Sequence, residues 1–72
     1  MHVLALSETL GMTKTKILSI EDVYGNQYEF TLILDADTWK NHEQLLRIAQ
    51  EQLLEKMQIN NDITEINVLD IN

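Results

Sequence analysis

Cysteine is missing from all 72 residues, which excludes disulfides and thiolate metal sites. Proline is missing too. Glycine occurs only at Gly11 and Gly25, so there is no glycine-rich phosphate-binding loop. The aromatics are Tyr24, Tyr28, Phe30 and Trp39, and no basic residues interleave with them as a base-stacking surface requires. No run approaches the roughly 18 apolar residues of a membrane helix. Met1 to Leu6 is apolar but lacks the charged start and the length of a signal peptide. The expected setting is therefore the cytoplasm, away from membranes.

Bases are scarce as well. Five Lys and Arg face twelve Asp and Glu, for a formal net charge of −7. Binding to nucleic acid rests on Lys and Arg neutralising phosphates, so direct nucleic-acid binding is not expected. An acidic surface serves solubility or meets a basic partner. Seventy-two residues make one domain with a modest core. Small domains without staples often gain stability by oligomerising, and a homodimer is expected.

What is present is led by the stretch from Asp35 to Ile59, which reads as one long amphipathic helix. Leu, Gln, Glu, Lys and Ala dominate it, and Asp35, Asp37 and Thr38 are candidate N-caps. With residues about 100° apart, Trp39, His42, Leu45, Leu46, Ala49, Leu53 and Met57 share one broad side. Lys40, Gln44, Arg47, Glu51 and Glu55 take the other, and Ile48 points among them. The turn composition Asn60-Asn61-Asp62 ends the helix.

Strand-like segments flank it at 14–24, 27–34 and 63–71. In the second, Tyr28, Phe30, Leu32 and Leu34 alternate on one face. Gly25-Asn26 marks a hairpin. A two-residue turn would place Glu21 on the apolar face. A three-residue loop, Tyr24-Gly25-Asn26, pairs Val23 with Gln27 and sets Ile20 and Leu18 opposite Phe30 and Leu32; the apolar pattern favours it. In the last strand Ile66 and Val68 share a face, while Leu69 and Ile71 switch to the other. The expectation is an α+β domain of order β-β-α-β. Its sheet is mixed and three-stranded, or four-stranded if residues 1–13 add an edge strand, with one long helix packed on one face. The second and last strands should run parallel through a crossover. The outer sheet face would carry Thr15, Ile17, Ser19, Glu29, Thr31 and Ile33.

Thr31 to Thr38, TLILDADT, resembles the first motif of haloacid-dehalogenase-type phosphatases, a hydrophobic strand followed by Asp-x-Asp-x-Thr/Val. The resemblance covers eight of 72 residues. It implies Asp35 as nucleophile and Asp37 as acid/base, with Mg²⁺ between phosphate and carboxylates. The later lysine and acids of that family have no counterpart here, and the same letters describe an N-cap after a buried strand. His2 and His42 are the only histidines; neither a metal site nor a nucleophilic triad is indicated. No catalytic residue and no cofactor is expected.

The remaining candidate is the acid array. Carboxylates on a rigid surface can imitate phosphates. The expected function is thus a small acidic, non-enzymatic inhibitor or modulator, a phage-type DNA mimic that covers a DNA- or RNA-binding protein. Glu21, Asp22, Glu29, Glu51 and Glu55 would make the contacts, with Ile48 as apolar anchor. The alternative is a homodimeric scaffolding module with Ile17, Ile33, Leu69 and Ile71 at its interface.

Overall fold

The structure, a computed structural model, describes residues 13–71. Three strands, β1 (Thr13–Asp22), β2 (Gln27–Asp35) and β3 (Ile63–Asp70), form one sheet of order β2-β1-β3. Between β2 and β3 lie a four-residue helix α1 (Ala36–Trp39), an eleven-residue helix α2 (His42–Gln52) and a π-helical turn (Leu53–Met57) that continues α2. The extra edge strand expected from residues 1–13 falls outside the described residues except for Thr13, which opens β1.

Both neighbours of β1 run antiparallel to it. The sheet is therefore antiparallel, not mixed. β2 and β3 do run in the same direction, as the crossover requires, but β1 lies between them.

Period-two alternation decides what faces inward. Leu18, Ile20 and Asp22 of β1 are buried. Leu18 and Ile20 join Trp39, Leu45 and Ala49 in the core, flanked by Phe30, Leu32, Leu34, Ile48, Ile63 and Ile66. Leu53 is fully buried at the start of the π-helical turn.

The hairpin register differs from the expected one by two residues. Ile20 pairs with Tyr28 and Leu18 with Phe30, so the loop spans five residues, Asp22 to Asn26. A shift of two keeps every side chain on its expected face, which is why apolar patterning fixes the parity and not the length. Asp22 sets the length. Its backbone N–H donates to the Asn26 carbonyl, its carbonyl accepts from Gly25, and Gly25 takes the positive φ of 83° that the turn requires.

The single long helix is also corrected. Asp35 caps α1 by accepting from the Thr38 N–H at 2.7 Å. One turn later the chain leaves helical geometry at Asn41, whose side chain accepts from the Gln44 N–H at 3.1 Å and starts α2. The expected apolar side holds at Leu45, Ala49 and Leu53 and differs at its margins, where Met57 is exposed. Leu45 and Ala49 are buried, Ile48 packs on the core, and His42 faces solvent. Gln58 closes the π-helical turn in left-handed geometry at φ 58°, its N–H donating to the Leu54 carbonyl. Trp39 ties α1 to β1 through Nε1, which donates to the Lys14 carbonyl at 2.9 Å.

Candidate functional site

Two features stand out: a buried carboxylate at one end of the sheet, and the sheet's outer face. Asp22 is the last inward residue of β1 and is 1% exposed. One carboxylate oxygen, Oδ1, accepts from the backbone N–H of Tyr24 at 3.0 Å and of Asn26 at 2.8 Å. The other, Oδ2, accepts from Asn61 Nδ2 at 3.0 Å, Asn26 Nδ2 at 3.2 Å and the Tyr28 hydroxyl at 3.3 Å. Burial alone would push this carboxyl up. The donors, led by the Asn61 amide, more than reverse that and hold it below the ordinary carboxylate range. The Tyr28 hydroxyl is raised, first by burial, then by the Asp22 charge and the bond to it.

The same junction fastens the segment that enters β3. Asn61 gives its side chain to Asp22, and its carbonyl accepts from Gln50 Nε2 at 3.0 Å. The Val23 N–H donates to the Asp62 carbonyl at 3.0 Å. Hairpin loop, helix and β3 thus meet around one carboxylate that no cation neutralises among the described residues. Its chemistry is structural. It organises backbone and amide donors, and its oxygens face inward.

The outer face is built by the odd-numbered residues. Strand pairing sets them in ranks: Gln27–Glu21–Glu65, then Glu29–Ser19–Asn67, then Thr31–Ile17–Leu69, then Ile33 beside Thr15. One half of the face is acidic and the other apolar. Glu21 and Glu65 stand directly opposite each other on neighbouring strands, an arrangement that like charges destabilise. Gln27 Nε2 reaches Glu21 Oε1 at 3.4 Å. None of the five bases is on this face. Lys14 and Lys16 occupy inward positions of β1, with Lys16 Nζ on Asp70 Oδ1 at 3.2 Å. Lys40, Arg47 and Lys56 belong to the helical layer.

The residues singled out from the sequence therefore do not form one surface. Glu21 and Glu29 share the outer face. Glu51 and Glu55 are exposed on the helical layer, across the sheet from them. Asp22 is buried, and Ile48 is half-buried against the core rather than pointing from a polar side. Of the interface candidates, Ile33 and Leu69 are exposed on the outer face, Ile17 lies half-buried between them, and Ile71 is exposed just past β3. Glu65 belongs with Glu21 and Glu29, and sequence reasoning missed it because only the strand order β2-β1-β3 brings it beside Glu21.

A shallow polar depression of about 170 Å³ is lined by Asn41, Glu43, Gln44 and Arg47 at the start of α2. Among the described residues no three His, Asp or Glu side chains converge as a metal site, and no helix is long and apolar enough to cross a membrane. Asp35, the nucleophile of the phosphatase resemblance, is held below the ordinary carboxylate range by the Thr38 hydroxyl and backbone N–H that it caps.

The chain matches no family model, and neither curated proteins nor solved structures include a match to it.

Proposed function

We propose that this protein is a small acidic, non-enzymatic binding module that covers a basic surface of a nucleic-acid-handling protein with the outer face of its sheet. One observation carries the reading: Glu21, Glu29 and Glu65 share a rigid face that holds none of the chain's five bases. The sheet sets the spacing of these carboxylates, and their field steers a cationic partner. The like-charge pair Glu21–Glu65 favours the same reading, because it disfavours the isolated fold and gains once a cation lies between its members. Ile17, Ile33 and Leu69 adjoin the acids and supply the apolar part of such a contact. Glu51 and Glu55, on the other layer, are not part of this surface.

The test is affinity capture from lysate at low and high salt, with the wild-type chain and a Glu29→Lys/Glu65→Lys double variant as baits. The expected result is a nucleic-acid-binding protein held by the wild type at low salt, released at high salt, and not held by the folded double variant. Equal capture by both baits, or capture indifferent to salt, overturns the reading.

A further inference from the structure

We infer that the outward edge of β2, which no strand among the described residues pairs with, takes a second copy of this chain, the two β2 strands pairing antiparallel about a two-fold axis at Thr31 to make one continuous sheet. This stands apart from the partner reading above and concerns a different surface, the strand edge.

The first observation is the edge itself. With strand order β2-β1-β3, no strand among the described residues lies beyond β2. Edges are normally blunted by charged side chains, lysine above all, by proline, by a bulge or by shortness. Of these β2 has only the acids Glu29 and Asp35. It is nine residues long, contains neither Lys nor Pro, and pairs with β1 in one unbroken register from Gln27 to Asp35. The opposite edge is different: β3 carries a register irregularity where it meets Glu21 and Asp22, and α2 packs against it.

The second observation is the inward row of β2. Tyr28, Phe30, Leu32 and Leu34 face the helical layer, yet each is only half-buried. α2 approaches β3 more closely than β2, so this row is left incompletely covered at the edge. An added strand would place its own inward side chains alongside.

The third observation chooses the occupant. About a two-fold axis at Thr31, Phe30 lies opposite Leu32 of the other copy and Tyr28 opposite its Leu34. On the outer side Thr31 meets Thr31, Glu29 meets Ile33, and Gln27 meets Asp35. Aromatic and aliphatic side chains pair on the inner face, and no two acids stand opposite each other. Cross-strand pairs of this kind stabilise. Moving the axis to Leu32 would set Glu29 against Asp35, and moving it to Phe30 would leave Leu34 and Asp35 without partners in β2, so the axis at Thr31 pairs the whole strand without opposed acids. A second copy also brings a further net charge of −7. Self-association is therefore strengthened by salt, the opposite of what a basic partner would show.

Sedimentation of the full chain across a concentration series, at low and high salt, reads the proposal directly. Two-chain mass (twice 8.4 kDa) should appear and be favoured at high salt. Thr31→Lys and Thr31→Glu, each at an exposed position, should each lose the two-chain species. Mixing the two variants should restore it, because unlike charges then meet at the axis. As a second probe, the cysteine-free background allows Thr31→Cys, which should crosslink to itself on mild oxidation, while Glu29→Cys should not. A wild type that stays at single-chain mass overturns the inference. So does a two-chain species that survives Thr31→Lys, or equal crosslinking at positions 29 and 31; loss only on Ile17→Lys would move the interface to the outer face.

Discussion

Asp22 shows how one side chain fixes geometry that a pattern leaves open. Placed at the end of an apolar row, it would be expensive to bury without partners. Five donors meet its two oxygens, and four come from residues of the hairpin it opens, Tyr24, Asn26 and Tyr28. The cost of desolvation is offset only in the folded chain, so the pKa is lower folded than unfolded. A depressed carboxylate contributes stability above its unfolded value of about 4, and that contribution is lost as pH falls through the folded value. Asp35 acts in the same direction. Tyr28 has the opposite sign: its raised pKa contributes fully below about pH 10 and loses that contribution as pH rises through the folded value. Urea midpoints measured against pH should be flat near neutrality and fall on both flanks. Asp22→Asn should lower the neutral plateau and flatten the acid flank. An unchanged acid flank would show that Asp22 titrates alike in both states.

At the scale of elements, the helical layer is made of two pieces because Asn41 competes with helix continuation. Asn side chains accept from backbone N–H groups ahead of them and so favour caps over helix interiors. Asn41 followed by Gln44 has the spacing of a capping box. That signal lies inside a stretch whose overall composition says helix, and composition prevails unless the cap is weighed. Leu45, Ala49 and Leu53 keep the apolar side expected of them, and the margins of that side shift. Ile48 moves from the polar side to the core margin, and His42 leaves the apolar side. Asn41→Ala should cost about 1 kcal/mol in chemical denaturation by removing the α2 cap. A loss near zero would mean that α1 and α2 fuse without penalty and that packing alone aims α2. The hairpin illustrates the same limit. Parity follows from the alternation of Leu18, Ile20, Phe30 and Leu32, whereas loop length follows from Asp22, whose role depends on Asn61, thirty-nine residues away.

The whole molecule has two unlike sides. Its bases lie in the helical layer or at inward positions of β1, while the outer sheet face carries acids, neutral polar and apolar side chains and, among the described residues, no base. A like-charge pair kept on a stable sheet suggests a conflict between fold and surface. Glu65→Lys should therefore stabilise the chain by about 0.2–1 kcal/mol while weakening capture of a basic partner. Loss of stability in that variant would show that Glu65 has a structural role and would remove it from the proposed surface. Among the described residues six apolar side chains are buried, a small core of the kind that chains of this size commonly extend by association. The half-buried row on β2 is where extension would add most.

Composition and periodicity by themselves determined the α+β class, the three strand segments, the inward faces of the hairpin, and the acidic net charge. Each follows from local side-chain chemistry repeated along the chain. Strand order, the burial of Asp22, the facing of Glu21 and Glu65, and the separation of Glu51 and Glu55 from the other acids were decided only by tertiary structure. They depend on which distant segments become neighbours. Local sequence determines the direction in which a side chain points, and folding determines what it meets there.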